Sequence, residues 1–337
     1  MAMRTTFTRN STAGAFDPDG GRLSIAADQM RVDYDPQTLA RLGALMEQQL
    51  SNTCAWSNDL THWSNPGGLT KYRTYRGIDL WDLNTTGVGY KTVASQLQAG
   101  INSVCFYADL SDGDWALRIK VGDLYSEQQF DGQNLFANGS QGGLDPAITL
   151  AESIDLGDHV YRLRLTIDLA AAQSNFQTYQ SSTSRTIVGG FDIYPGDAPL
   201  TTHIPTAGAA LARAADFFDA PGALNDYAPG LHTWRNAVRM SRDPGEPTII
   251  SSAEHRIYAS DGRLHLDGPG ELIQPDGEHA PGDYVPFVWN VQFPGAAPDF
   301  TLGRGYGDAD WWNGHLVDIN PFPRLLRSDE INAWVGS

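Results

Sequence analysis

Positive charge is the first thing this sequence is short of. Lys+Arg number 23 against 40 Asp+Glu, a formal net charge of −17, so long-range repulsion opposes an unaided encounter with nucleic acid or an anionic membrane. Neither is expected as a partner. Cysteine is scarcer still. Cys54 and Cys105 are the only two, with no CxxC pair and no Cys/His cluster, which excludes a disulfide framework and a zinc site of that type. Both are expected as buried free thiols in a chain made in a reducing cytoplasm. No apolar run reaches the ~18 residues of a membrane-spanning helix, so no membrane insertion is expected. The opening MAMRTTFTRNSTAG also lacks the apolar stretch of a secretory signal.

Familiar catalytic motifs are missing too. Gly139-Ser140-Gln141-Gly142-Gly143 lacks the spacing of a nucleophile elbow, there is no HExxH, no glycine-rich phosphate loop with a lysine, and the 8 His are scattered. A glycosidase pair of carboxylates is assembled in space and need not show in sequence, which keeps a glycan depolymerase as a minor alternative. The expectation is a protein that is not an enzyme and carries no cofactor. Asp17, Asp19, Asp112, Asp114, Asp308 and Asp310 lie in turns whose carboxylates suit either Ca²⁺ or ordinary Asx turns. No metal site is assigned to them.

What is present is turn chemistry and aromatic mass. Gly 35 and Pro 19, with 13 Tyr, 13 Phe and 9 Trp, favour many short strands over long helices. The expected class is all-β, with two jelly-roll or β-sandwich domains in tandem. Trp115, Leu117, Ile119 and Val121 alternate with Ala116, Arg118 and Lys120, and Tyr161, Leu163, Leu165 and Ile167 alternate with Arg162, Arg164, Thr166 and Asp168; each run reads as an antiparallel strand with one wet face. Turn clusters between such runs delimit a body over 51–206. Residues 207–230, rich in alanine, glycine and proline, read as a linker. In 231–337 the alternation returns through Val285, Phe287, Trp289, Val291 and Phe293, a second and smaller sandwich. Ile331, Trp334 and Val335 fall on one helical face after Ser328, an expected N-cap. Trp63, Trp115, Trp234 and Trp289 are assigned to cores.

Several segments resemble a family of bacteriophage and prophage structural proteins. TFTRNSTAGAFDPDGGRL, RVDYDPQTLARLGALMEQQLSN and SNDLTHW occur in the family's order, and IVGGFDIYPGDAPLTTHIPTAGAALARAADFF looks like its closing strand. On this mapping Gly43 to Glu47, Asn52, Trp63, Thr202, Ile204 to Thr206, Gly208 and Arg213 to Asp216 hold matching positions. Asp192-Ile193-Tyr194 and His203 depart from it. Leu39, Leu42, Leu45 and Met46 fall on one helical face, but the resemblance implies a strand through Gly43 to Glu47, and the strand is the expectation. The last forty residues are similar to the closing strands of concanavalin-like lectin domains, with Leu302-Gly303, Trp312-Asn313-Gly314, Phe322 to Leu325 and Ser328 to Ile331 as the matching pieces.

The resemblance implies a virion protein, made in the host bacterial cytoplasm and mounted as a head or tail spike or fibre on a phage or a phage-like particle such as a gene transfer agent. It implies a carbohydrate-binding-module-like sandwich (51–206) and a lectin-like sandwich (231–337), both placed to contact host cell-surface polysaccharide. Residues 1–50 are then an N-terminal extension that anchors the chain on other virion proteins, and a homo-oligomer is expected. The rival reading is a purely structural decoration or connector protein.

Sugar rings offer C–H faces to aromatic rings and hydroxyls to polar partners. Arg304, Tyr306, Asp308, Asp310 and Trp311 bring these together within eight residues, and form the favoured glycan site. Adjacent Trp311 and Trp312 diverge on a strand, so one ring faces inward, and the lectin-like resemblance implies that it is Trp312. In the first sandwich Trp56, Trp81 and Tyr90 are weaker candidates, with alternation allowing Trp81 to face solvent and core or inter-sheet packing the alternative for each.

Overall fold

Leu117, Ile119 and Val121 are at most 1% exposed while Arg118 and Lys120 keep partial exposure, so the alternation of Trp115–Val121 does produce a strand with one dry face. The computed structural model describes residues 30–35, 37–64, 67–83, 91–113, 115–144, 147–180, 185–220, 230–241, 245–293, 300–305, 310–322 and 324–336, with the backbone of Thr6–Thr8, Ala13–Phe16 and Arg22–Ile25. The chain is all-β, with one α-helix and one short 3-10 turn, Leu60–His62, among the described residues.

The first sandwich pairs a six-stranded antiparallel sheet with a five-stranded one. In the former the order is Ile148–Asp155, Val160–Leu169, Gly100–Asp109, Ile187–Pro195, Ile78–Asp82, Thr70–Tyr75; in the latter it is Leu135–Gly142, Leu124–Phe130, Trp115–Val121, Gln173–Gln180, Lys91–Leu97. One core joins their inner faces, with Phe106 stacked 5.9 Å from Trp115 and Trp63 5.1 Å from Phe191. Cys54 and Cys105 are buried free thiols. Burial pushes the Cys105 thiol up to about 12, which leaves it protonated and unreactive.

The second sandwich draws on both ends of the chain. One sheet runs Thr6–Thr8, Phe217–Ala220, Phe300–Leu302, Thr248–Ser251, Arg256–Ser260, Arg263–Asp267; the other runs Glu271–Ile273, Tyr284–Phe293, Gly230–Arg239, Gly314–Phe322, Arg41–Met46, Val32–Tyr34. Trp234, Trp289 and Phe300 meet at 5.0–5.8 Å in its core, which also takes Ala44 and Met46 from Arg41–Met46. Loss of such a ring costs about 3–5 kcal/mol, which marks these aromatics as structure. The hairpin Arg256–Ser260 to Arg263–Asp267 turns on Asp261 and Gly262, both at positive φ, as a tight two-residue hairpin turn requires.

Three features differ from the sequence expectations. Segments read as an extension are internal to the second sandwich: Arg41–Met46 pairs with Gly314–Phe322 and Val32–Tyr34 extends the same sheet. Segments read as linker are strands as well, Leu211–Arg213 pairing with Leu50–Asn52 and Phe217–Ala220 with both Thr6–Thr8 and Phe300–Leu302. Finally, the face of Val160–Leu169 that alternation gave to water is covered. Arg162 and Arg164 are buried there, Arg162 paired with Asp192 and Arg164 with Asp197 at 2.6 Å and the Ala198 carbonyl at 3.0 Å. The chain following Ile187–Pro195 folds back over them.

The helix Ser328–Val335 lies where expected and lays Ile331 against Val288 and Leu326. Its N-cap is Arg327 rather than Ser328, and Glu330 accepts the Arg327 amide at 2.8 Å.

Candidate functional site

The loop that sequence singled out leaves the second sandwich at Gly303 and returns at Trp312. Its ends are tied: the Trp312 amide donates to the Gly303 carbonyl at 2.9 Å, the Ser251 hydroxyl to the Arg304 carbonyl at 2.7 Å, and the Thr248 amide to the Asp310 carbonyl at 2.7 Å. Trp312 is fully buried and Trp311 half-buried, the divergence expected of neighbours in extended chain. The Arg304 guanidinium lies 5.6 Å from the Trp311 ring centroid, within cation–π range. Tyr306 and Asp308 lie outside the described residues.

Beside this loop is a depression of about 330 Å³ that takes in Gly305, Asp310, Asp267 and the turn Ser251–Arg256. Arg256 organises it. Its guanidinium donates to Asp310 at 3.0 Å, to the Glu246 carbonyl at 2.7 Å and to the Thr248 hydroxyl at 2.9 Å, and it sits 4.2 Å over the Tyr258 ring. His265 stacks on Tyr258 at 5.4 Å. Asp310 adopts a positive φ of 51°, a conformation Asp tolerates better than most residues, and so turns its carboxylate to Arg256. The structure thus sets Arg304 against Trp311, and Asp310 against Arg256 over Tyr258, the last two being residues sequence reasoning missed. They stand on the strand Arg256–Ser260, ~50 residues from the loop, a separation no local pattern spans.

The weaker candidates fare differently. Trp81 is 7% exposed and its indole donates to the Asn58 carbonyl at 3.2 Å, which corrects its place among the candidate glycan-binding residues in favour of core packing. Its strand is covered on both faces, Trp81 and Leu83 entering the main core and Ile78 and Leu80 a second cluster. Trp56 is half-buried, stacked on His62 with centroids 3.8 Å apart. A Cβ on Gly208 would lie 3.1 Å from the Trp56 ring, so one edge of that indole is occupied by backbone. Tyr90 lies outside the described residues. On the outer face of the five-stranded sheet, Arg118 lies between Tyr125 and Tyr179 at 5.8 and 5.7 Å, a second aromatic platform not anticipated from sequence. Of the aspartates considered for Ca²⁺, Asp112 pairs with Arg185 and Asp310 with Arg256, and Asp17, Asp19, Asp114 and Asp308 lie outside the described residues. Among the described residues no group of His, Cys, Asp and Glu is arranged to hold a metal ion.

One constellation has the order of a nucleophilic relay. The Ser57 hydroxyl is 3.5 Å from His203 Nε2, and His203 Nδ1 is 3.0 Å from Asp192. Ser57 is fully buried, however, and its oxygen already accepts the Thr206 amide at 2.8 Å and lies 3.3 Å from the Ile204 carbonyl. A nucleophile needs an open site for the reacting carbon; here the group is a clasp. Burial would raise the Asp192 carboxyl, but His203 and Arg162 more than reverse that and hold it below its usual value. The two positions that depart from the phage-protein pattern, Asp192 and His203, are therefore direct partners.

The matching positions converge as well. Glu47 takes Arg31 at 2.7 Å, Arg213 at 2.9 Å and the Thr202 amide at 2.6 Å, while Arg31 also pairs with Asp216. Fully buried Asn52 donates to Asp192 at 2.7 Å and to the Ile204 carbonyl at 2.8 Å, and accepts the Ile193 amide at 2.9 Å. These are framework contacts at the neck where the chain passes between sandwiches.

A comparison with models of known protein families finds no match, and a comparison with curated proteins finds none.

Proposed function

We propose that this chain is a virion structural protein, a head or tail spike or fibre of a phage or phage-like particle, that binds host surface polysaccharide for adsorption. The particle assignment rests on the order of the segments that resemble phage structural proteins. The binding assignment rests on one observation: a loop pinned at both ends on a rigid sandwich carries Arg304 against half-buried Trp311 beside a depression whose lining includes the paired Arg256 and Asp310. Loops on rigid scaffolds commonly carry binding functions, and an aromatic ring with adjacent charged groups suits a sugar's apolar face and its hydroxyls. The reading assigns no catalytic step, and places the chain among other virion proteins as a homo-oligomer.

The test is an array of bacterial surface polysaccharides probed with the purified chain and with Trp311→Ala. Binding by the wild type that weakens roughly ten- to hundred-fold in the variant, by analogy with aromatic stacking worth ~1–3 kcal/mol, supports the reading. No binding by the wild type overturns it in favour of a connector protein, and release of reducing ends would make the chain a depolymerase.

A further inference from the structure

Between the two sandwiches lies a cavity of about 230 Å³, with Tyr107, Leu156 and Leu200 on the side of the first sandwich and Asp33, Leu42 and Arg239 on the side of the second. Two of its donors are underused. Arg239 makes one long bond, 3.2 Å to the Gly282 carbonyl, its Nε is buried with no partner, and its charge acts on the Asp35 carboxylate with no ion pair between them within 4 Å. Tyr107 lines the same cavity and its hydroxyl makes no hydrogen bond to a described residue, its ring being held between Arg162 at 4.5 Å and the edge of His203 at 6.4 Å. Acceptors face them: Asp33, paired with His315 at 3.1 Å, and Asp35, one of whose oxygens is occupied by Thr38 and Gln37. A buried guanidinium nitrogen with an unmet hydrogen bond beside such acceptors calls for an explanation.

The geometry points to a second saccharide site here, one that takes a single neutral pyranose ring between the sandwiches. Each sugar hydroxyl both donates and accepts, which matches guanidinium and phenol donors set opposite carboxylate acceptors. The leucines offer an apolar wall for the C–H face. Mixed charge on the lining favours a neutral ring over an acidic one. The volume falls below the ~300 Å³ at which pockets for larger ligands begin, which selects one ring rather than a chain, and interfaces between domains are preferred places for such sites. The assignment shares its ligand class with the function proposed above and none of its residues.

Saturation-transfer NMR on the intact chain with free D-glucose, D-galactose and N-acetyl-D-glucosamine tests it. Wild type should show transfer to at least one of these sugars. Arg239→Ala and Tyr107→Phe should each weaken it about tenfold, the worth of one good hydrogen bond, and Leu42→Trp should abolish it by filling the cavity. Tyr107→Phe removes only a hydroxyl without a partner, so it keeps the fold and remains informative if a larger change does not. Trp311→Ala should leave the monosaccharide signal intact while lowering polysaccharide binding. Absence of any signal in wild type, or a signal lost in Trp311→Ala and kept in the cavity variants, overturns the proposal. No array binding by the wild type, with its monosaccharide transfer present, would instead count against the loop site alone.

Discussion

Glu47 is the residue on which the neck between the sandwiches is built. Burial would push its carboxyl up, but Arg213, Arg31 and the Thr202 amide reverse this and hold it at about 2. A buried ion pair is weak evidence of net stabilisation, yet removing one member strands the others. Glu47→Gln leaves Arg31 and Arg213 short of a charge and should cost about 3–5 kcal/mol, measured as a drop in urea midpoint at neutral pH. The sign of the pH dependence follows from a folded-state value below the ordinary 4.5: the contribution is complete above that pH and is lost as pH falls toward about 2. Asp192, also held low, acts in the same direction. Wild type should therefore lose stability on acidification below about pH 4.5, and the Gln variant should show a shallower acid limb. An equally steep limb in both would contradict this account of Glu47.

At the scale of elements, Arg41–Met46 is the most informative strand. Its leucines and methionine fit a helical face as well as a strand, and short apolar runs do not distinguish the two; what decides is the open edge of Gly314–Phe322, ~270 residues away in sequence. Gly43 sits at the irregularity opposite Val32–Tyr34 with φ of 121°, and a Cβ there would lie 2.8 Å from the Leu316 carbonyl oxygen. Gly43→Ala should destabilise by about 1–3 kcal/mol. Hydrogen exchange in Gly314–Phe322 should rise with it, and unchanged exchange there would show the strand to be dispensable. The same locality explains the other misreadings. The period of Val160–Leu169 marked its dry face correctly, but the cover over Arg162 and Arg164 comes from chain beyond Pro195. Trp81 alternates as a surface residue would, and only the clusters on both faces of its strand remove it from solvent.

For the whole molecule, ladders from both ends of the chain make the second sandwich a composite, with the first inserted at the neck where Leu50–Asn52 pairs with Leu211–Arg213. A chain starting at Ser51 should keep amide protection in Gly100–Asp109 and lose it in Gly314–Phe322 and Gly230–Arg239. Equal protection in both bodies would contradict the composite. The all-β class and the ring-filled cores were legible because each depends on period two and aromatic content, while the choice of Trp312 over Trp311 as the buried ring came from the lectin-like resemblance. The composite was not, since pairing between distant strands leaves no local signature, and neither was Arg256 beneath Asp310. The most direct measurement of the central claim is adsorption of particles carrying Trp311→Ala in this chain to host cells. The account predicts particles that assemble as the wild type does and adsorb roughly ten- to hundred-fold less well; normal assembly with undiminished adsorption would contradict it.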